Sequence, residues 1–414
     1  MTVTIAICLL LLLAYVFDIS APKTRIPAVI LLLLLGWCVR QMTGFLHLEL
    51  PNLNPALPVL GTIGLILIVL EGSLDLELNK SKRGIIQRSS LVALIPMLIF
   101  SFGLAYLFQY LGYGSFKSCL TNAIPLGIIS SAIAIPSAKS LSSKTKEFVT
   151  YETSFSDIYG VVFFNFVSLN EQFDAGTFGI FALEIIIIMV VSFVATLGLS
   201  FLLSKIKHHV KFAPIILLVV LIYAISKIYH LPALIFILLF GLFLGNIDKF
   251  KQFKIVRRMR PQVLNREVKK FTELTTELAF LIRALFFLLF GYLIETSELL
   301  NLDTLYWAAG ITVSVYIIRA IHLKVAGMKF NPLLWIAPRG LITILLFLSI
   351  PAKHLIYPVN ESLVTQVIIL TALIMMVGIM NVDKKAIEEE RKQKEEEKRK
   401  EQESEESEED DLVG

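Results

Sequence analysis

Apolar residues along this chain come in long blocks rather than in stripes at helix or strand spacing. A helix needs about 20 apolar residues to cross a hydrocarbon core of roughly 30 Å, and only helices or closed barrels satisfy their backbone there. Read between Gly, Pro and charged punctuation, the blocks predict thirteen spans, at roughly 3–17, 26–43, 55–76, 85–111, 119–139, 147–169, 178–204, 211–228, 231–247, 274–296, 304–323, 332–350 and 363–381. The expected fold class is therefore an all-α polytopic membrane protein of about 13 transmembrane helices. The first span lacks a basic n-region and reads as a retained helix rather than a signal peptide.

Composition agrees with that solvent. Of 414 residues, 56% are hydrophobic and 17% charged, and the mean hydropathy is +0.74, too apolar for a soluble chain of this length. Cys8, Cys38 and Cys119 lie in or beside apolar runs without metal-ligand spacing, so a disulfide framework is not expected. The net charge of +4 is less informative than its distribution. Bases fall in every second loop: Lys23 and Arg25, then Lys80, Lys82, Arg83 and Arg88, then Lys139, Lys144 and Lys146, then Lys205, Lys207 and Lys211. The run from Lys249 to Lys270, the pair Lys324 and Lys329, and the tail continue the series. Intervening loops are poor in bases, and two are acidic, with Glu171 and Asp174 in one and Glu295, Glu298 and Asp303 in the other. By the positive-inside rule the N-terminus is outside and the C-terminus cytoplasmic, in a plasma (inner) membrane. From 384 to 414 the chain is a charged, then acidic tail expected to be disordered, leaving 1–383 as the membrane domain.

One apolar stretch, "TYETSFSDIYGVVFFNFV" (Thr150 to Val167), carries two carboxylates, Glu152 and Asp157. A charge at mid-span costs at least about 2.5 to 3.5 kcal/mol, so each acid calls for a partner or a water-filled path. Five helical residues turn about 500° and rise about 7.5 Å, so the two acids face different neighbours, with Asp157 the deeper. The available cations are Arg283, Arg319 and Arg339. Arg319 sits at a depth matching Glu152, while Arg283 lies nearer the depth of Asp157 and is the rival partner. Breaks are signalled twice, by Gly127 and Pro136 in the fifth span and by Pro338 and Gly340 in the twelfth. Seven spans separate them, which gives the opposite orientation that an inverted repeat requires.

At these residues the chain resembles the NhaP-type sodium/proton antiporters and the sodium/hydrogen exchangers of the monovalent cation:proton antiporter superfamily. "YETSFSDIYGVV" is similar to that family's carboxylate helix, and "GTIGLILIVLEGSLDL", "GIISSAIAIPSA", "YIIRAIHL" and "APRGLITILL" match four further segments in the same order. The resemblance covers about residues 2–381 and not the tail. It implies an inverted-repeat antiporter fold with two broken, crossing helices. Residues of about 85–170 and 304–381 would form a moving core, and about 3–76 and 211–296 a dimerising scaffold. It implies that Asp157 binds cation and proton alternately, with Thr153 at the place of a coordinating serine and Glu71 helping to hold the cation. Glu152 and Arg319 fall on its structural ion pair, with Arg283 and Arg339 in support. Two departures stand out: Ser156 replaces the family's Asn before the carrier, and "SSAIAIP" replaces a segment bearing a second Asp. Ser130 and Ser131 there supply hydroxyls but no charge.

A hard monovalent cation takes oxygen donors, and Asp157, Thr153, Ser156, Ser130, Ser131 and Glu71 offer them. With one exchangeable carboxylate, the expected activity is electroneutral one-for-one exchange of Na+, or of K+ or Li+, against H+ by alternating access. The partners are then the cation, the proton, the lipid bilayer and a second copy in a homodimer, with no nucleic acid and no cofactor. Neither HExxH nor GxSxG occurs, so an intramembrane hydrolase is not expected. The six histidines fall in loops or at span ends, which argues against a histidine proton relay. A cation channel and a transporter-fold sensor are the alternatives.

Overall fold

A computed structural model describes residues 2–24, 26–46, 53, 55–76, 82–138, 141–170, 175–206, 211–229, 231, 233–250 and 261–382. Lys80, Lys139, Lys207, the acidic pair Glu171 and Asp174, most of the basic run after Lys249, four of the histidines (His47, His208, His209, His230) and the tail 384–414 lie outside them.

Helices account for the fold, and no strand occurs among the described residues. In order they are α1 (Thr2–Thr24), α2 (Ala28–Phe45), α3 (Ala56–Leu74), α4 (Arg83–Tyr110), α5 (Phe116–Gly127), α6 (Ser131–Ser137), α7 (Ser143–Leu169), α8 (Ala175–Lys205), α9 (Phe212–Ile228), α10 (Leu234–Gly245), α11 (Pro261–Leu293), α12 (Thr296–Leu299), α13 (Leu302–Val325), α14 (Leu341–Leu348) and α15 (Glu361–Met380). Their starts follow from local chemistry. Ser115, Ser142 and Asn360 accept a backbone N–H of the first turn of α5, α7 and α15, at 3.2, 3.3 and 2.9 Å, satisfying donors that a helix start leaves open.

Eight helical segments are long and apolar enough to cross a membrane, and three further apolar helices, 5–21, 212–228 and 234–245, are shorter. Against the thirteen expected spans, α7 with its carboxylates and the short α14 are absent from that count. Several bounds differ from expectation. The first helix runs to Thr24 rather than 17, and α11 begins at Pro261 rather than 274, its polar first turns extending past the apolar block. Apolar side chains such as Leu183, Val190 and Val194 of α8 are more than half exposed, as lipid-facing helix surfaces are.

Three sets of neighbours organise the packing. α2, α3 and α10 pack with α11 or with one another, while α4, α5 and α7 form a second group, and α13 and α15 a third that α4 joins to it. α3 is the element that touches α6, α7 and α14 from the first set. The α2–α11 contact is made at backbone distance: a Cβ on Gly36 would lie 2.8 Å from the Tyr292 nitrogen. We call the side carrying the basic loops the basic face and the other the opposite face.

Both expected breaks are present. α5 enters from the opposite face and stops at Gly127, residues 128–130 are unwound, and α6 continues to the basic face. The second break differs from two half-helices. Residues 331–335 are turns and 336–340 irregular, so only α14 is helical there. Pro332 and Pro338 each lack the N–H that a helix would use.

Candidate functional site

The two breaks cross. The Ser130 N–H donates to the Pro338 carbonyl at 2.8 Å, and the Ile129 N–H donates to Ser156 Oγ on α7 at 2.9 Å. These bonds replace the helical ones that the unwound stretch gives up. Arg339, itself buried, holds the end of α5. Its guanidinium donates to the carbonyls of Leu126 at 2.8 Å and Gly127 at 3.2 Å, and to that of Ala337 at 2.6 Å. A cation against the last carbonyls of a helix is favoured by their dipoles. The crossing is close at Gly340: a Cβ there would lie 2.7 Å from Ile133 Cδ1 and 2.8 Å from Ser130 Oγ, so those side chains would have to move.

Asp157 lies beside this crossing and is fully buried. One oxygen, Oδ2, accepts a hydrogen bond from Ser131 Oγ at the start of α6. The other, Oδ1, is buried without a hydrogen-bond partner among the described residues, and so are Ser130 Oγ and Thr343 Oγ1. Open oxygens at a buried carboxylate are what a bare monovalent cation would use, since buried polar atoms are otherwise nearly always satisfied. Thr153 is also fully buried, but its hydroxyl donates to the Val149 carbonyl of its own helix at 2.8 Å, leaving its oxygen lone pairs.

Glu152, about one and a half turns nearer the basic face, is neutralised separately. Arg319 of α13 meets it with both terminal nitrogens, at 2.5 and 3.0 Å, and donates from Nε to the Leu333 carbonyl at 2.8 Å. Both side chains are buried, and the fork-on-carboxylate geometry is the one a desolvated pair needs. Arg283, the other candidate partner of Glu152, instead sits 3.8 Å from Glu71. The reason is helix placement: α11 packs on α3, which carries Glu71.

Two cavities approach Asp157 along one face of α7. On the basic face, a cavity of about 520 Å3 is lined by Glu71, Asp75, Ser131, Glu147, Thr150 and Arg283, among others. It reaches the hydroxyl that bonds Asp157. On the opposite face, a cavity of about 340 Å3 is lined by Thr62, Leu65, Val161, Phe164, Asn165 and Leu345, among others. They share no lining residue. The α7 positions 147, 150, 154, 157, 161, 164 and 168 form a single stripe at alternating spacings of three and four, so Asp157 stands between the two cavities. On α3 the corresponding walls, Leu65 and Ile68, are three residues apart.

The structure thus brings Asp157, Ser131, Ser130 and Ser156 together at the crossing, and places Glu71 on the wall of the basic-face cavity with Arg283. Thr343, on α14 just past the second break, carries a buried hydroxyl without a partner among the described residues and was not singled out from the sequence.

Known proteins agree with this architecture. Residues 8–381 match the family described as the transmembrane sodium/hydrogen exchanger. None of the curated proteins matches the sequence. Among solved structures, the sodium proton antiporter MjNhaP1 from Methanocaldococcus jannaschii at pH 8 superposes with a TM-score of 0.66 at 18% identity, covering 92% of this chain and 96% of that one. An electron-microscopy structure of the same antiporter gives 0.63 at 19% identity, covering 92% and 94%.

Proposed function

The chain belongs to the sodium/hydrogen exchanger family of cation:proton antiporters, and on that premise we propose that Asp157 is the group that carries cation and proton in turn. The observation that carries this reading is the pairing pattern inside the bundle. Glu152 is neutralised by Arg319, whereas Asp157 meets Ser131 rather than a cation, and its Oδ1 has no hydrogen-bond partner among the described residues. Protonation and cation binding are alternatives at that carboxylate, and exchange needs nothing else. Ser130, Ser131, Thr153 and Ser156 are the nearby oxygen donors, with Thr343 a further candidate; Glu71 would meet the cation in the cavity before it reaches the site.

Sodium is the cation we propose, with potassium and lithium as the competitors to be compared. Two cavities without a common wall, and a buried carboxylate between them, support alternating access over an open pore. We assign the basic face to the cytoplasm, which makes the present conformation inward-facing. Helices α4–α7 and α13–α15 are the proposed moving core, and α1–α3 with α9–α11 the scaffold of a homodimer in the plasma membrane. One exchangeable carboxylate gives one-for-one exchange, and both loaded forms of the core then carry the same charge.

Proteoliposomes test this directly. Collapse of an imposed pH gradient should follow added sodium and be indifferent to a potassium-valinomycin potential. A transport current on a solid-supported membrane that reverses with the sodium gradient would refute the electroneutral reading, and no proton movement with any of the three cations would refute exchange itself.

A further inference from the structure

The two cavities differ in charge. The basic-face cavity is lined by three acids, Glu71, Asp75 and Glu147, and three bases, Lys82, Lys146 and Arg283. Two of its ion pairs are Lys82 with Glu147 at 2.7 Å and Arg283 with Glu71 at 3.8 Å. Its walls carry no net charge. The opposite-face cavity contains no carboxylate among its described lining residues, and its one charged group is Lys227, in the last turn of α9. Around it α3 contributes Thr62, α7 contributes Asn165 and Ser168, and α14 is followed by Ser349. The phenol of Tyr223, one turn earlier on α9, is the other titratable group there.

A lysine at a helix C-terminus is ordinarily explained by the dipole and by snorkelling of its ammonium to water. That accounts for a base at the end of α9. It does not account for a base as the one charged group among the described lining residues of a vestibule on the Asp157 stripe of α7, where apolar walls concentrate its field on whatever enters.

Resting on the reading that Asp157 carries both ions, we propose that Lys227 is an affinity-setting residue for the opposite face: its charge weakens uptake of cation and proton from that side by one common factor. The common factor follows from charge. Both ions are monovalent and reach the same carboxylate, so a fixed potential raises the free energy of each equally and leaves the choice between them unchanged. On the basic face the balanced walls impose no such bias. The exchanger is thereby skewed toward releasing ions on the opposite face rather than capturing them there.

The test varies sodium and pH on one face at a time, using right-side-out and everted vesicles that contain the full chain. At about 10 mM ionic strength, where charges act over roughly 30 Å, Lys227→Gln should lower the opposite-face KM for sodium about threefold and Lys227→Glu about tenfold. The proton midpoint on that face should move by the same factors, upward by about 0.5 and about 1 pH unit. Lys227→Arg should match the unaltered protein, basic-face values should stay fixed, and about 1 M choline chloride should erase the differences. An unchanged opposite-face KM in Lys227→Glu overturns the proposal. So does a sodium shift without the equal proton shift, or equal shifts on both faces, which a packing defect would give. If the unaltered protein moves no protons, the exchange reading falls first and this inference falls with it; if it exchanges normally and the variants show no one-sided shift, only this inference falls.

Discussion

Asp157 and Glu152 are five residues apart on one helix, and Glu152 has a counter-ion where Asp157 has a serine hydroxyl. Asp157→Asn keeps the shape and removes the exchangeable charge. It should abolish sodium-driven proton movement while leaving the thermal midpoint in detergent unchanged or higher, and exchange above a few per cent of normal would contradict the carrier assignment. Glu152 and Arg319 should behave as a unit. Losing one partner strands a buried charge at a cost of about 3 to 5 kcal/mol, while losing both is far milder. Unfolding of Glu152→Gln, Arg319→Gln and the double variant measures the coupling, and a double variant as unstable as the sum of the singles would deny it. Depth along two spans was enough to match Arg319 with Glu152 from the sequence, although Arg283 stayed open as a rival. Thr343 and the carbonyls held by Arg339 were not legible, because they depend on where one unwound backbone passes another.

The two interruptions show what an element's sequence does and does not specify. Proline and glycine announced a break in each region, yet the unwound stretch 128–130 lies six residues or more before Pro136. Its position is set by partners elsewhere in the chain, Ser156 on α7 and Pro338 in the second break, which no local pattern contains. The same interdependence makes the crossing fragile. Gly340→Ala inserts a methyl 2.7 Å from Ile133 Cδ1 and 2.8 Å from Ser130 Oγ, so the Ile133 and Ser130 side chains at the crossing must shift. We expect a loss of about 1 to 3 kcal/mol in stability and a larger loss of exchange, measured together by detergent unfolding and proteoliposome assay. Full exchange in that variant would show that the crossing distance is unimportant.

Across the whole molecule, the connection from α11 to α13 is fastened at both ends. Arg40 and Trp37 of α2 bind Glu295 at 2.8 Å and Thr296 Oγ1 at 3.1 Å, while the Gln366 amide of α15 donates to the carbonyls of Leu299 and Asn301 at 3.2 and 2.9 Å. Glu298 lies in that strap, where burial foremost, then Glu361 and Glu295, push its carboxyl above the usual carboxylate range, against the opposing charge of Arg40. An acid raised in the folded state favours folding where it is protonated and loses that advantage as pH rises through its folded value. Glu298→Gln should therefore raise the thermal midpoint at pH 8 and have little effect at pH 4, and the reverse order would contradict this account.

The septum between the cavities is the feature with the widest consequence. Leu65 and Ile68 of α3 line different cavities, yet their backbones are separated by only about 4.5 Å of helix rise. On α7 itself the nearest walls are Tyr151 and Val161, about 15 Å of helix rise apart, so the closed layer around Asp157 is much shorter than a hydrocarbon core of roughly 30 Å. If water fills both cavities, the membrane voltage is concentrated across that layer. An unladen Asp157 carboxylate would meet the entire field, about 2.3 kcal/mol per 100 mV, together with the cost of dehydration in the same narrow zone. On the proposed reading, that barrier would keep an empty carrier from slipping back and so favour exchange over leak.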